Sequence, residues 1–512
     1  MNRDSLVATL KNHVCSSTSD TYTTTEVFTG GELATLPESS VTDVHTAYER
    51  ALRAQQEWVA RPLAERLAVF HRFHKLLLRE RETVADLLQA ETGKARRDAF
   101  EELCEPALVT SYYLRTAPKL LRPRKRAGLM PGAITVTELR KPKGVVGIIS
   151  PWNYPFALAF GDLIPALIAG NGVVLKPDSQ TALSPLFGAD LLYRAGLPTD
   201  LLQVVLGDGP TIGGAVVDTC DYIGFTGSSR TGAMIAARAG ERLVGCSLEL
   251  GGKNPMVVLD DADIAATART AVRGCFANSG QLCLSLERIY VADAIFDRFA
   301  DAFVAEIGRL RQAAGYDYGA DIGSLTSQRA LKTVSEHVDD ARAHGATVLA
   351  GGRPRPDLGP YFYEPTVLTD VTPDMLCHKA ETFGPVVSLY PYAADDDAVA
   401  LANDTDYGLN ASVFGRDMTR AGQVAARLRS GTVNINDGYA SAFGSTDAPM
   451  GGMGASGLGR RHGAEGLLRY TETQVVAAQR FDLLNPPRWV PYGPYSRFMA
   501  TSLRLMKKLR MR

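Results

Sequence analysis

The sequence predicts an α/β fold with a doubly wound parallel sheet, and three observations support this. Apolar runs typical of buried strands alternate with helical patterns from residue 144 onward, as in sheets covered by helices on both faces. Glycine, with 48 of 512 residues, is frequent enough for many tight strand-to-helix turns. A chain of this length also exceeds a single hydrophobic core, so two or three domains are expected.

The predicted elements begin with a polar segment. Residues 1–40 are rich in Ser and Thr, which predicts an extended arm and an early hairpin, and helices follow over 41–59 and 62–92. The alternating part then comprises strands over 144–149, 172–175, 202–206 and 222–225, and helices over 156–169, 184–195, 211–217 and 231–239. A ligand is expected at the carboxyl ends of these strands.

A second α/β series is predicted over residues 254–451. Within it, Asp261 or Asp263 could cap a helix that continues to Ala277. Residues 133–139 alternate like an edge strand, and with residues 468–478 they could form a protruding sheet for subunit contacts. The basic C-terminal tail has helical spacing, with Phe498, Leu505 and Leu509 on one side.

Composition excludes several classes of protein. The formal net charge is −1, so no global field attracts the chain to nucleic acid or to anionic lipid. Seven widely spaced cysteines without a C-x-x-C pair indicate reduced thiols in the cytoplasm and neither a disulfide framework nor a metal site. The N-terminus lacks the apolar run of a leader peptide, and the apolar residues 157–175 are interrupted by Asp162, Pro165 and Asn171, so no membrane span is predicted.

Three segments carry residues suited to acyl chemistry. Cys283 ends Asn278-Ser279-Gly280-Gln281-Leu282-Cys283, Glu249 lies in Leu248-Glu249-Leu250-Gly251-Gly252, and Asn153 lies in Pro151-Trp152-Asn153-Tyr154-Pro155. A thiol nucleophile and a carboxylate base can form and hydrolyse a thioester, and an amide can bind the oxyanion. Taken singly, each has an ordinary interpretation: a buried cysteine, a solvated surface glutamate and a turn asparagine.

In order and spacing, these segments resemble those of the aldehyde dehydrogenase superfamily. The resemblance covers residues 25 to 480 and implies that Cys283 attacks the aldehyde carbon, that Asn153 and the Cys283 N–H bind the oxyanion, and that Glu249 activates the hydrolytic water. Relatives that transfer the acyl group to coenzyme A generally lack this glutamate, so a free carboxylic acid is the expected product. A homodimer or homotetramer is also implied.

With the predicted elements, the resemblance divides the chain into four parts. These are a dinucleotide-binding domain (1–120 and 142–250), an α/β catalytic domain (251–450), a small protruding β oligomerisation element (121–141 and 466–482) and a basic tail (483–512). The tail is interpreted as a solvated or subunit-packing helix, with a lid or membrane-surface helix as the alternative.

A dinucleotide site is predicted from several further segments. Phe225-Thr226-Gly227-Ser228-Ser229-Arg230-Thr231-Gly232 joins a strand to a helix whose N-terminus could hold a pyrophosphate, although a G-x₄-G alone is often turn chemistry. By resemblance, Glu381 binds the nicotinamide ribose and Phe383 packs near the ring. The other residues predicted to contact the cofactor are Trp152, Asn153, Lys176, Pro177, Asp178, Ser179, Gly209, Gly227, Ser228 and Leu250.

The segment Lys176-Pro177-Asp178-Ser179 predicts NADP, with NAD as the alternative. Many NAD-preferring relatives carry Glu at the position of Ser179, where a carboxylate bonds the ribose 2′-hydroxyl and repels a 2′-phosphate. Serine removes that repulsion and could donate a hydrogen bond to the phosphate. The charge of Asp178 is the argument against NADP.

The sequence leaves two classes of aldehyde substrate open. Details such as Lys176–Thr181 and Gly451–Gly454 resemble actinobacterial NADP-dependent succinate-semialdehyde dehydrogenases of the second type, whose substrate carboxylate calls for an arginine clamp. Ala277 and Gly161 stand where both expected arginines would be, and Arg288 or Arg460 could replace them. A pocket of Leu158, Phe160, Gly161, Ala277, Leu282 and Phe443 would instead suit neutral aromatic or medium-chain aldehydes.

Two other classes remain as alternatives. A Cys–Glu site with an oxyanion hole can act as a cofactor-independent thiol esterase, although a nicotinamide ribose site at Glu381 and Phe383 argues against it. A catalytically silent homologue would have no reason to keep Asn153, Glu249 and Cys283 together.

Overall fold

The computed structural model describes residues 3–129, 134–480, 485–486 and 488–508. The helices are α1 Arg3–Lys11, α2 Val41–Ala60, α3 Leu63–Arg79, α4 Arg81–Thr92, α5 Arg96–Leu121, α6 Pro155–Ala169, α7 Leu183–Arg194, α8 Gly214–Thr219, α9 Ser229–Glu241, α10 Ile264–Phe276, α11 Phe296–Ile307, α12 Gln328–Ala343, α13 Leu376–Lys379, α14 Asp395–Asn403, α15 Met418–Ala425, α16 Ala440–Phe443, α17 Gly463–Leu468 and α18 Tyr492–Lys508.

The strands form four sheets. Their bounds are β1 Thr21–Thr25, β2 Glu32–Pro37, β3 Arg124–Arg126, β4 Ile134–Pro142, β5 Val145–Ile149, β6 Gly172–Lys176, β7 Leu202–Val204, β8 Tyr222–Thr226, β9 Gly245–Glu249, β10 Asn254–Val258, β11 Leu286–Ala292, β12 Thr347–Ala350, β13 Thr366–Thr369, β14 Val386–Tyr392, β15 Asn410–Phe414, β16 Thr432–Ile435, β17 Gly457–Leu458 and β18 Thr471–Gln479.

The first large sheet confirms the doubly wound prediction. Its strand order is β17-β9-β8-β5-β6-β7, and every pair is parallel except the short β17 on β9. The chain runs outward from β5 through β6 to β7 and then returns to β8 on the other side of β5. That reversal opens a crevice at the carboxyl ends of β5 and β8, where a ligand is expected in such sheets.

The second large sheet belongs to the predicted second α/β series. Its order is β12-β13-β14-β11-β10-β15-β16, with β12 antiparallel and the other pairs parallel. Asp263 caps α10 by accepting a hydrogen bond from Ala266 N at 3.1 Å, so the second of the two candidate caps is the one used. The helix ends at Phe276, one residue before the predicted end, and leads to Cys283.

A small antiparallel sheet, β18-β4-β3, stands apart from the two large ones. β18 pairs with β4 over nine residues, and most of its side chains are exposed, including Val475 at 61% and Val476 at 48%. Ala133, the first residue of the predicted edge strand, lies outside the described residues. An exposed antiparallel strand suits the predicted subunit contact, which stays a prediction, as does the division into domains.

The N-terminal third differs most from the prediction. The extended arm is wrong at its start, because Leu6, Val7 and Leu10 form a buried stripe on α1, whereas the hairpin is confirmed as β1 and β2. The helix expected over 62–92 is two helices, α3 and α4, that meet at Glu80. The 26-residue α5 was not predicted, since Pro106 and Pro118 lie inside it.

The apolar stretch 157–175 folds as predicted, into the buried helix α6 followed by the buried strand β6. Across the described part of the chain, no helix is both long enough and apolar enough to cross a membrane. The tail forms the predicted helix, α18, but Leu509 of its expected apolar side lies outside the described residues.

Candidate active site

The loop that carries Cys283 is held in an uncommon backbone conformation. Asn278 (φ 50°), Ser279 (φ 56°) and Gly280 (φ 73°) are successive left-handed residues that reverse the chain after α10. A Cβ on Gly280 would lie 2.1 Å from the Gly384 carbonyl oxygen, so only glycine fits there. The reversal places Cys283, half-buried, in the wall of a cavity.

Asn153 lies against the same loop. Its side-chain Nδ2 donates to the Gln281 carbonyl at 3.0 Å, and its own carbonyl accepts from Asn278 Nδ2 at 3.0 Å and from Lys94 Nζ at 2.8 Å. The loop and the asparagine therefore orient each other. Lys94 is fully buried, pairs with Glu102 and lies 4.0 Å from the centre of the Tyr154 ring.

Glu249 ends β9, and the two glycines after Leu250 explain how it reaches the cysteine loop. A Cβ on Gly251 would lie 2.4 Å from Glu381 Oε2, and one on Gly252 would lie 2.8 Å from the Cys283 carbonyl oxygen. Only a backbone without side chains can pass between these groups. Asn254 then completes the contact by donating Nδ2 to the Cys283 carbonyl at 2.7 Å.

The Glu249 carboxyl group is buried, and its Oε1 has no hydrogen-bond partner within the described part of the chain. Burial raises the pKa of Glu249 to about 7, although Arg461 and Arg469 act in the opposite direction. An uncompensated carboxylate oxygen that lines a cavity is available to a water molecule or a substrate. A carboxyl group with a pKa near neutrality is well matched to work as a base.

The thiol of Cys283 is hard to ionise. Burial raises its pKa to about 12, and the nearby carboxylates of Glu381 and Glu249 act in the same direction. The cysteine is therefore a thiol that needs an adjacent base in order to react as a thiolate. Glu249 lines the same cavity and could accept that proton.

The cavity has a volume of about 270 Å³. Its lining comprises Glu101, Glu102, Cys104, Glu105, Leu108, Asn153, Tyr154, Ala157, Leu158, Thr226, Glu249, Leu282, Cys283, Leu284, Tyr439, Ala440, Phe443, Gly444, Met450 and Arg461. Arg461 is the sole lysine or arginine in that lining, and it donates to Asp162 at 3.1 and 2.9 Å and to Thr226 Oγ1 at 3.1 Å. The cavity thus offers no unpaired cation among the described residues.

Three predicted pocket residues lie elsewhere. Phe160 stacks on Phe156 and Phe73 in the core, with ring centres 4.5 and 5.7 Å away, so its placement in the pocket was wrong. Gly161 and Ala277 are buried and absent from the cavity lining. Leu158, Leu282 and Phe443 do line it.

Neither of the two arginines that could replace the expected arginine clamp lines the cavity. Arg288 is buried and donates to the carbonyls of Lys253 and Ala402, at 2.9 Å each. Arg460 donates to the carbonyls of Gly452 and Gly459. Both guanidinium groups hold backbone segments together, so the idea that either binds a substrate carboxylate was wrong.

Sequence reasoning missed the wall that α5 contributes. Glu101, Glu105 and Leu108 follow the i, i+4, i+7 spacing of one helix face, which was the available signal, although the two prolines obscured it. Glu105 accepts a hydrogen bond from His462 at 2.5 Å, and Glu101 pairs with Arg273. The role of Lys94 behind Asn153 was also missed.

The predicted cofactor residues gather at the crevice of the first sheet. Ser228 caps α9 by accepting from Thr231 N at 3.3 Å, directly after Gly227 at the end of β8. Gly232 lets Leu250 pack closely, because a Cβ there would lie 2.5 Å from Leu250 Cδ2. The helix N-terminus and strand end are therefore arranged to receive an anionic group.

Lys176 and Ser179 follow the end of β6. Lys176 Nζ has no hydrogen-bond partner in the part of the chain that the structure describes, and burial lowers its pKa. Ser179 Oγ donates to the Gly207 carbonyl at 2.9 Å, so its single proton is already engaged and the predicted donation to a phosphate is not made from this rotamer. Burial raises the pKa of Asp178. A Cβ placed on Gly209 would meet no atom within 4 Å.

Glu381 and Phe383 lie between the crevice and Cys283. Lys253 pairs with Glu287 at 2.5 Å, and Glu287 accepts the backbone N–H groups of Thr382 and Phe383. The ring of Trp152 meets Phe383 edge to face, with centres 5.4 Å apart. This buried network fixes the segment against the active-site loop.

Comparisons with known proteins agree with this geometry. The family model described as "Aldehyde dehydrogenase family" matches residues 14–476. A Mycolicibacterium smegmatis protein named "Putative succinate-semialdehyde dehydrogenase [NADP(+)]" is 54% identical over 484 residues, 94% of each chain.

Solved structures agree as well. An E. coli NADP-dependent enzyme has a TM-score of 0.87 at 32% identity, covering 91% of this chain and 96% of its own. The NAD⁺ complex of a Bacillus cereus aldehyde dehydrogenase has a TM-score of 0.86 at 33% identity, covering 90% and 93%. With the family model spanning nearly the whole chain, and Cys283, Glu249 and Asn153 lining one cavity, this chain belongs to the aldehyde dehydrogenase family.

Proposed function

We propose that this protein oxidises an aldehyde to a carboxylic acid with NADP, through a thioester on Cys283. The observation that carries this proposal is that Cys283, Asn153 and the unpartnered Oε1 of Glu249 border one cavity beside the crevice of the first sheet. In the first step, Glu249 takes the proton of the Cys283 thiol and the sulfur adds to the aldehyde carbon. The developing oxyanion accepts hydrogen bonds from the Asn153 amide and the Cys283 N–H.

Residues of this chain also account for the second half of the reaction. Bound NADP supplies the acceptor for the hydride that leaves the substrate carbon. Glu249 releases the first proton to solvent and then takes a proton from water, whose oxygen adds to the thioester carbon. The C–S bond breaks to release the acid, and Glu249 returns its proton to the Cys283 thiolate to restore the thiol. A carboxyl pKa of about 7 suits both proton transfers.

The residues near the crevice fit a nicotinamide dinucleotide. Gly227 and Ser228 would hold the pyrophosphate at the start of α9, and Lys176, whose ammonium group has no hydrogen-bond partner within the described ranges, would lie near the adenosine ribose. Glu381 would bind the nicotinamide ribose. The absence of a carboxylate at Ser179 favours NADP, and the mycobacterial relative is named for NADP(+).

Succinic semialdehyde is the first candidate substrate, because relatives at 53–54% identity are named for it. Uncharged aldehydes are the second candidate. The cavity favours them, since Leu108, Leu158, Leu282 and Phe443 line it. Arg461, the only arginine among the described residues of its lining, is already paired with Asp162. A carboxylate would enter without an unpaired cation to receive it.

The test is kcat/KM with NADP for succinic semialdehyde and for butanal, which has the same number of carbons and no charge. A preference of tenfold or more, about 1.4 kcal/mol, for either aldehyde selects that candidate. Activity with neither aldehyde, or hydrolysis of esters without nicotinamide binding, would contradict the proposed oxidation and support a thiol esterase.

A further inference from the structure

The C-terminal helix α18 has an apolar side and a basic side. A helical projection places Tyr492, Phe498, Leu503 and Leu505 on one side, within an arc of about 160° that also holds Tyr495, Met499 and Met506. The basic residues Arg497, Arg504, Lys507 and Lys508 occupy the opposite side, within an arc of about 100°.

The two edges of the apolar side are exposed, whereas its middle is partly covered. Phe498 is 67% exposed, Leu503 55% and Leu505 54%, and none of the residues of α18 is buried. Tyr495, Met499 and Met506, in the middle of the arc, are half-buried. An exposed apolar stripe of this kind marks a surface that meets another apolar phase or partner.

Charge indicates which partner this surface fits. Residues 483–512 contain seven lysines and arginines and no acidic residue, whereas the other 482 residues contain 48 basic and 56 acidic ones. A polar face that holds cations alone repels itself in water and is stabilised against a surface of negative charge. Each cation near an anionic bilayer contributes about 1 kcal/mol of attraction.

Aromatic residues collect at the start of the helix. Trp489 is 83% exposed and Tyr492 is 67% exposed, and both precede the cationic turns. Rings with one apolar and one polar part favour the headgroup level of a bilayer. The exposed apolar edges, the basic side and these rings together suit a helix that lies in the interface of a bilayer.

We propose that α18 docks this protein on an anionic lipid surface, with Phe498, Leu503 and Leu505 inserted and the basic side facing the headgroups. This docking is independent of the chemistry at Cys283, since none of these residues lines the cavity. The net charge of the whole chain does not reveal this basic segment, because the acidic residues of the rest of the chain offset it.

The experiment is sedimentation of the full-length protein with vesicles of phosphatidylcholine alone or with 30% phosphatidylglycerol. We expect binding only to the second, weakened at high salt. The double variant Phe498→Glu, Leu505→Glu should reduce the partition coefficient at least tenfold. Arg504→Gln with Lys507→Gln should reduce it by about fivefold per charge.

Matched controls are Leu243→Glu, at an exposed leucine outside the tail, and Arg329→Gln, at an exposed arginine of α12. Both should bind vesicles like the parent protein, and all variants should keep their activity on aldehydes. Equal binding to both vesicle types, absence of binding, or tail variants that bind like the parent would overturn the proposal. If the tail variants instead change the molar mass in light scattering and leave vesicle binding unchanged, α18 is a contact between copies of the chain.

Discussion

The inner end of the cavity and its outer wall are built on different principles. At the inner end, Cys283, Asn153 and Glu249 are fixed by backbone hydrogen bonds and by glycines that admit no side chain. The outer wall is the face of α5, where Glu101 and Leu108 project from a regular helix. Side chains on a helix face can be exchanged without rebuilding the backbone, whereas the glycines that place the inner residues cannot.

This difference separates the reaction from the choice of aldehyde. The inner residues are recognisable as sequence motifs because their local backbone is unusual. The outer wall has no motif, and we expect its side chains to decide whether a charged or an uncharged aldehyde is accepted. We therefore expect the largest losses of activity from substitutions at the inner end and changes of preference from substitutions at the wall.

Removal of the nucleophile should have the largest effect. Cys283→Ala is expected to lower kcat by about 10⁴-fold or more, because the proposed acyl intermediate forms on this sulfur. Cys104→Ala is the matched control, since this second cysteine also lines the cavity. NADPH formation by both variants at equal rates would exclude Cys283 as the nucleophile.

Glu249→Gln should lower kcat by about 10³-fold, within the range of a lost general base. The parent enzyme should lose activity as the pH falls through about 7, where Glu249 takes up a proton. Glu101→Gln should leave that pH profile in place. A profile without a limb near neutrality would contradict the role of Glu249.

The same substitution has a consequence for stability. The pKa of Glu249 is raised in the folded protein, so folding disfavours its ionised form, and this penalty is present above pH 7 and absent below about 4.5. Glu249→Gln should therefore raise the melting temperature more at pH 8.5 than at pH 5.5. An equal shift at both values would mean that the carboxyl group is not buried.

Asn153→Ala should lower kcat by about 10²-fold with a smaller change in KM, the pattern of a lost oxyanion donor. Lys94→Met should move kcat in the same direction by less, because Lys94 acts on Asn153 through its carbonyl. A rise in KM at unchanged kcat would show that Asn153 only binds the substrate.

Ser179→Glu should lower the ratio of kcat/KM for NADP to that for NAD by about tenfold, or 1.4 kcal/mol, through repulsion of the 2′-phosphate. Ser179→Ala should leave the ratio nearly unchanged, since the hydroxyl proton is bonded to Gly207. A loss as large with alanine would mean that the hydroxyl turns to bind the phosphate.

The smallest effect is expected at the wall. Leu108 is 45% exposed at the cavity, and Leu108→Arg would supply the missing cation. It should raise the preference for succinic semialdehyde over butanal by about fivefold, the size of a partly exposed ion pair. Leu108→Gln is the uncharged control, and an equal change in both variants would exclude a charge effect.

The sequence predicted the two α/β series, because buried strands leave local patterns. Cys283, Glu249 and Asn153 were predicted from family resemblance, and although they border one cavity, their catalytic roles stay predictions. The sequence-based prediction failed where the position of a residue depends on tertiary packing and not on its local pattern. Phe160 has the spacing of a pocket residue on α6 but stacks on Phe73 of another helix. Helix α5 was not predicted because it contains Pro106 and Pro118, although the helix continues through both. The contact between Lys94 and Asn153 joins residues that are far apart in the sequence, so no local pattern indicates it.

The most direct measurement is the intact mass of the Glu249→Gln variant after incubation with NADP and an aldehyde substrate. The proposed mechanism predicts little acyl group on Cys283 and no rapid formation of NADPH, because Glu249 is the base both for the thiol and for the water. An unmodified chain that still releases carboxylic acid at the parent rate would contradict a thioester mechanism in which Glu249 is the base.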